Sequence, residues 1–352
     1  MLRKIKLATL RLLKSGGIFD LVANSRWRQQ RLLILCYHGI SLDDEHLWRP
    51  GLYMEPAILE QRLEILKRGG YAVLPLGEAL EQLRAGTLPP RSVVITFDDG
   101  AYDFYKQAFP RLKSYGFPVT VYQTTYYSDF QRPVFNLIAS YMLWKRRGEM
   151  ISDGRDVGLP GTMDLRTEAS RHTIVMELLA RANREELSGA QKDELCASLA
   201  KLLGIDYEAL VSTRMLQLMN AQEVREVASS GVDIQLHTHR HRTPQNEMRF
   251  RREIQDNRAR IVTLASKSPR HFCYPGGVYR SMYFPWLAEE QVVSATTCDS
   301  GLVTRASEML LIPRFVDTQN KTAIDFESWL SGVGDLLAVR RTASQTYVPV
   351  ET

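Results

Sequence analysis

Long apolar runs are missing from these 352 residues. No stretch approaches the roughly 18 consecutive apolar residues of a membrane-spanning helix, so no such helix is expected. Cysteine is scarce. Cys36, Cys196, Cys273 and Cys298 show no CxxC spacing, which argues against a disulfide framework and for reduced thiols in a cytoplasmic protein. Cys36 and Cys273 fall in predicted core strands, where a free thiol packs as a small hydrophobe. The N-terminus lacks the unbroken apolar segment of a signal peptide, because Lys4, Lys6, Arg11 and Lys14 interrupt it. A cytoplasmic location is the resulting expectation. Internal repeats and low-complexity tracts are also absent.

Charge of either sign is nowhere concentrated except at the start. The net charge is +5, and residues 1–31 hold eight Lys or Arg against Asp20 alone, so the remainder carries −2. A nearly neutral body whose basic residues are not interleaved with aromatics gives no nucleic-acid groove. Leu2, Ile5, Leu10, Leu13, Ile18 and Leu21 alternate with Lys and Arg through residues 2–24. This spacing predicts a basic amphipathic helix, broken near Gly16-Gly17. Three readings are open: peripheral contact with an anionic membrane, at its inner face, packing on the domain, or a solvated leader.

A hydrophobic content of 44% with 24% charged residues is ordinary for a globular chain. Strand patterns at 32–37, 71–76, 93–97 and 118–122 alternate with helix patterns at 56–67, 78–84 and 102–115, the last bent at Pro110. This βα rhythm implies a parallel sheet or barrel. It breaks at 125–219, where several helices, including 168–184 and 190–203, form an insertion that could cover a site, self-associate or touch lipid. The rhythm resumes with a capping box at Asn220-x-x-Glu223, continues through strand patterns at 271–274, 292–296 and a last short one at 310–312, and ends in a terminal helix at 322–338. The division read from this pattern is a basic segment at 1–31, a domain at 32–340 and a tail at 341–352.

Val93-Val94-Ile95-Thr96-Phe97 runs into Asp98-Asp99-Gly100. Neighbouring side chains of an extended chain point to opposite faces, so one carboxylate can bind a metal while the other faces substrate or water. A strand ended by an acidic turn is the plain alternative. A second apolar strand runs into His237-Thr238-His239-Arg240-His241. Three of the seven histidines lie within these five residues. Asp99, His237 and His241 would form a site of two imidazoles and one carboxylate with open positions, suited to zinc and alternatively to nickel, cobalt or iron. A surface run of histidines is the competing reading. His38, Asp98, Asp99, His237 and Tyr274 all fall at the C-terminal ends of predicted strands, where parallel α/β folds build their sites.

Thr96-Phe97-Asp98-Asp99-Gly100, His237-Thr238-x-x-His241 and Arg270-x-Phe272-x-x-Pro275-x-Gly277 resemble, in order, the motifs of the polysaccharide deacetylases of carbohydrate esterase family four. The resemblance implies an incomplete (β/α)7-type barrel, here with a helical insertion. It implies that Asp98 is the catalytic base and that Asp99, His237 and His241 bind the metal. It further implies metal-dependent removal of an acetyl group from an N-acetylated glycan or glycolipid. Many members carry the catalytic acid on a late Leu-x-His, but this chain has no His after His271 and reads Leu311-Ile312-Pro313-Arg314 instead. The exopolysaccharide deacetylase branch carries the acid on an early Tyr-His. Tyr37-His38 matches it, which assigns the acid to His38. Cys273 stands where an Arg that orients the base is common, so Arg314 or Asp299 is expected to serve, with Thr238 also near the metal. Tyr274, Pro275, Gly276 and Gly277 are expected to form the substrate and oxyanion loop. A catalytically silent glycan-binding protein and a deacylase of another ester or amide remain the alternatives.

Overall fold

The computed structural model describes residues 2–159 and 161–338; the expected tail at 341–352 lies outside the described residues. One sheet organises the chain. Its strands are β1 (Leu33–Tyr37), β2 (Ala72–Val73), β3 (Ser92–Phe97), β4 (Thr120–Gln123), β5 (Asp233–Leu236), β6 (His271–Cys273), β7 (Ser294–Thr296) and β8 (Phe315–Val316). The order across the sheet is β7-β6-β5-β4-β3-β1-β8, with β2 paired to the first half of β3. Every pair is parallel. Parallel strands need both faces covered, which is why β1 and β3 are buried at every position.

The sheet curls until its two edges meet through one short stretch. Ile312 bridges Thr296 of β7, and three residues later Phe315 pairs with Leu35 of β1. The result is an incomplete barrel. Period-two alternation sorts its side chains. Leu33, Leu35, Val93, Ile95 and Phe97 face the surrounding helices. Ile34, Val94, Tyr122, Cys273 and Ile312 share a second cluster in the barrel interior. One period further along β3 this interior row becomes Thr96 and then Asp98, so the apolar floor gives way to polar groups at the C-terminal end.

Helices Pro56–Arg68, Leu76–Ala85, Ala221–Ser229, Glu247–Ala265 and Tyr283–Glu289 lie between strands. The capping box at Asn220 and Glu223 is formed on both sides. Three expectations are corrected. Pro110 does not bend a single helix: Phe104–Ala108 widens into a π-helical turn before the helix Phe109–Tyr115, since proline supplies no N–H and crowds the preceding turn. The last strand is β8, and the segment expected as a strand at 310–312 contributes only the Ile312 bridge. The terminal helix is two, Ala323–Ser331 and Val333–Leu337, separated by Gly332 at φ +92°.

The N-terminal segment forms helices Leu2–Ser15 and Ile18–Ala23, with Gly17 left-handed between them. Leu10 and Phe19 are buried with Ile324 and Val333 of the last helices. Lys6 pairs with Asp325 at 3.0 Å and Lys14 with Glu327 at 2.6 Å. The helix therefore packs on the domain. Its outer face still exposes Ile5 and Leu12.

Residues 125–219 carry their own apolar cluster, with Ile138, Leu143, Leu178 and Leu199 at its centre. Tyr53, Trp48 and Leu52, from the loop after β1, join it. A small antiparallel pair, Met150–Ile151 with Met163–Asp164, was not anticipated from sequence. This subdomain sits over the C-terminal ends of the strands.

Candidate active site

Asp98 is buried at the base of the site, 3% exposed. It follows Thr96 on the interior row of β3. Arg314, reaching in from beside β8, grips it with both terminal nitrogens, Nη1 to Oδ1 and Nη2 to Oδ2 at 2.7 Å each. The guanidinium is saturated. Nε donates to the Thr297 carbonyl at 2.9 Å, Nη1 also to Thr96 Oγ1 at 3.1 Å, and Nη2 also to Cys273 Sγ at 3.1 Å. Burial alone would raise the Asp98 pKa, but Arg314 outweighs it, with His38 and His237 adding to the effect, and holds the carboxyl well below the usual range. Asp98 is thus a fixed anion. Cysteine at 273 leaves room for an arginine from the other edge of the barrel to reach the same carboxylate.

Asp99 turns the opposite way. Its backbone is left-handed at φ +69°, and Gly100 follows at φ +76° with the Gln123 side chain so close that a Cβ would lie 2.1 Å from its oxygen. This turn swings the Asp99 carboxylate toward the end of β5. Its Oδ1 lies 3.2 Å from His237 Nε2 and 3.2 Å from His241 Nε2. The three ligand atoms fall within 4.8 Å of one another.

His237 is oriented from behind. Its Nδ1 lies 2.9 Å from the Cys273 carbonyl. A carbonyl only accepts, so Nδ1 carries the proton and the Nε2 lone pair faces Asp99. Its backbone N–H donates to Asn257 Oδ1 at 3.0 Å. His241 reaches the site because the chain turns back on itself: Thr238 and His241 are both left-handed, at φ +62° and +57°, and Thr238 Oγ1 accepts from the Arg242 N–H at 3.0 Å. Two such non-glycine conformations cost about 1–3 kcal/mol each, which the surrounding packing must offset. The donor set and lone-pair directions fit a divalent cation.

His38 follows β1 on the same interior face, with Nε2 3.6 Å from Asp98 Oδ2. Gly39 after it is required by close approach. A Cβ there would sit 2.1 Å from the Tyr53 ring and 3.1 Å from Asp103 Oδ2. Asp103, buried and with its pKa pushed well up by that burial, accepts the Ile40 N–H at 3.1 Å and pins the turn.

Several expected residues stand elsewhere. The Tyr274 side chain is in the core, packed on Phe272 and donating its hydroxyl to the Leu310 carbonyl. Its N–H is taken by Thr296 and the Gly277 N–H by Tyr274. Of the loop Tyr274, Pro275, Gly276 and Gly277, only Gly276 lines the cavity. Asp299 turns its carboxylate to Tyr279 at 3.2 Å and supports the site only through its backbone carbonyl, which accepts the Arg314 N–H. Thr238 acts on the loop rather than on the carboxylate or imidazoles. His239 turns away to Thr125 Oγ1 at 2.8 Å. Asn257 was missed. It also donates to the Gln123 carbonyl and Thr125 Oγ1, and a single Asn in a helix of mostly charged and apolar residues is its only signal in the sequence.

A cavity of about 320 Å³ opens above these groups. Its floor is His38, Asp98, Asp99, His237 and His241. Its walls include Tyr53 and, from the insertion, Phe135, Leu137, Leu179 and Leu216. The insertion therefore builds part of the site.

Comparison with known proteins agrees with this geometry. The sequence model of the polysaccharide deacetylase family matches residues 85–186 and 205–290, just over half of the chain. A poly-β-1,6-N-acetyl-D-glucosamine N-deacetylase of Escherichia coli K12 is 28% identical over 100 residues, a match spanning 28% of this chain and 15% of that relative's length. The deacetylase PplD of Streptococcus pyogenes, solved in complex with acetate, superposes with a TM-score of 0.53 at 19% identity, over 82% of this chain and 93% of that one. IcaB of Ammonifex degensii gives 0.52 at 17% identity, over 86% and 97%. At these identities the solved structures establish the barrel fold alone.

Proposed function

Because this chain belongs to the polysaccharide deacetylase family, we propose that it is a metal-dependent hydrolase removing the acetyl group from an N-acetylated sugar of an exopolysaccharide, oligosaccharide or lipid-linked glycan. The observation that carries this reading is the meeting of Asp99, His237 and His241 at 3.2 Å separations beside a second, separately held carboxylate, Asp98. The similarity to a relative named for N-deacetylation of poly-N-acetylglucosamine supports the acyl group and the sugar class.

Asp99 Oδ1, His237 Nε2 and His241 Nε2 would hold the cation, zinc first, with nickel, cobalt or iron as alternatives. When bound there, such an ion supplies Lewis acidity toward water and an acyl oxygen. Asp98 accepts the proton of the attacking water, and Arg314 keeps that carboxylate ionised and aimed. Water adds to the amide carbon, the C–N bond breaks, and acetate and a free amine leave. His38, at the cavity floor, gives the departing nitrogen its proton, without which an amide nitrogen leaves poorly. Gly276 lies at the cavity edge, where a glycine lets backbone approach a bound acyl group.

We further propose a cytoplasmic location, peripheral at the inner face of an anionic membrane; the exposed Ile5 and Leu12, among the exposed Lys4 and Arg11, support the membrane contact.

The test is acetate release from N-acetylated oligosaccharides by the full chain. Release should stop on chelation and return with zinc, nickel or cobalt. Tight glycan binding without acetate from any N-acetylated substrate would instead favour a silent binding protein. Turnover confined to O-acetyl esters would move the reading to another acyl group.

A further inference from the structure

The cavity lining carries Arg49, Lys192, Arg240 and Arg242, yet its only carboxylates are Asp98 and Asp99. Asp98 is already paired with Arg314, and Asp99 lies between two imidazoles. Arg240 is answered by Glu253 at 2.9 Å. Among the described residues, no carboxylate comes within ion-pair distance of the other three. Arg49 stacks on the Trp48 ring at 4.7 Å, and its one side-chain hydrogen bond is a long contact to Ser140 Oγ at 3.5 Å. Lys192, on the insertion helix Gly189–Leu202, is half-buried near Arg242. Burial and then the nearness of Arg242 lower the Lys192 pKa, and burial lowers that of Arg49.

These three cations come from segments far apart in the chain: the loop after β1, the insertion, and the loop after β5. Arg49 and Lys192 are partly buried and Arg242 is exposed; partly desolvated cations with no carboxylate in ion-pair reach are costly unless a ligand supplies the counter-charge. Apolar side chains, Leu137, Leu179 and Leu216, line the cavity with them. A guanidinium presents two parallel donors matched to phosphoryl oxygens, and an ammonium adds a point charge. Resting on the deacetylase reading above, we propose that the acetylated sugar enters this site carried on a phosphate ester. Arg49, Lys192 and Arg242 hold the phosphoryl oxygens while the sugar lies over Asp98 and the Asp99–His237–His241 group. A nucleotide diphosphate sugar and an isoprenoid diphosphate sugar share this chemistry.

The experiment uses the zinc-loaded full chain and four probes: methyl N-acetylglucosaminide, N-acetylglucosamine 1-phosphate, uridine diphosphate N-acetylglucosamine, and a short-chain prenyl diphosphate N-acetylglucosamine. Acetate release gives kcat/KM and calorimetry gives binding. The phosphorylated probes should be favoured over the neutral one by about tenfold or more. That ratio should collapse in Lys192→Ala and Arg49→Ala, and less so in Arg49→Lys. Variants are first checked for a native far-ultraviolet spectrum, with Lys192→Gln as the milder substitute. The preferred phosphorylated probe separates the nucleotide source from the lipid one. Preference for the neutral glycoside, or for an N-acetylated uronate glycoside over the phosphates, would overturn the proposal, as would a ratio unmoved by the substitutions. Should no probe yield acetate, the deacetylase reading fails, and calorimetry decides the subsite separately. Phosphate-dependent binding lost in Lys192→Ala sustains it, and absence of binding removes it.

Discussion

Arg314 and Asp98 stand 216 positions apart in sequence and form a bidentate pair with side-chain exposures of 0% and 2%. The pair joins the end of β3 to the segment that closes the barrel. Replacing Arg314 by Ala leaves a buried carboxylate without its partner, a change worth about 3–5 kcal/mol. Arg314→Lys keeps a charge but loses the fork. Urea unfolding should order the proteins wild type, Lys, Ala. Without Arg314 the Asp98 pKa rises, so the acidic limb of the kcat/KM profile in Arg314→Lys should move to higher pH. A limb at the wild-type position would remove Asp98 from the role of base.

The same pair sets a pH dependence of stability. The folded Asp98 value is depressed, so its contribution is fully present above the unfolded value of about 3.9 and is lost as pH falls toward the folded value. Acid titration of unfolding free energy should therefore be shallower between pH 4 and 3, both approximate bounds, in Arg314→Lys than in wild type. Equal slopes would show that the pair does not govern acid stability.

Metal and base substitutions should separate. Asp99→Ala or His237→Ala should reduce bound zinc, measured by elemental analysis after dialysis, to near background. Asp98→Asn should keep the metal and lose about 10²–10⁴-fold in kcat. Retained turnover in Asp98→Asn would end its assignment.

His38 is proposed to act on the leaving group, so its removal should matter most where that group is poor. In His38→Ala, hydrolysis of an N-acetyl sugar should fall about 10²–10⁴-fold while an activated aryl acetate falls far less. Equal losses on amide and ester would argue for a positioning role.

Gly39→Ala forces a methyl against the Tyr53 ring at 2.1 Å. The expected cost is about 1–3 kcal/mol in chemical denaturation. Turnover should fall further than stability alone explains, because the turn carries His38. A neutral substitution would show that Tyr53 moves freely.

Much of this was legible because the informative residues are local. Val93 to Gly100 and Leu236 to His241 each combine a strand with candidate metal-binding side chains, and the apolar runs named β1 and β3 to within a residue. The position of Arg314 relative to Asp98 was only half legible. Its candidacy followed from Cys273, but the fork depends on barrel closure, which no local pattern encodes. Tyr274 was misread because a strand-end aromatic looks alike whether it faces a cavity or the core; its hydroxyl happens to find the Leu310 carbonyl. Asn257 and Lys192 escaped because each sits in a helix whose periodicity reports only amphipathic packing, and Arg49 because it lies in a loop with no periodicity to read. Their relevance comes from long-range contact.

Synthesis order gives the Ile312–Val316 segment a role in timing. By the time the ribosome has made residue 300, Asp99, His237 and His241, proposed to hold a cation, and Asp98, proposed to activate water, are already in the nascent chain. None of it is coupled to Arg314, which arrives fourteen residues later, between the Ile312 bridge and the Phe315 pairing. A chain interrupted before that point would own the proposed site without the clamp, and the proposed hydrolysis would begin only once the seam of the barrel is sewn.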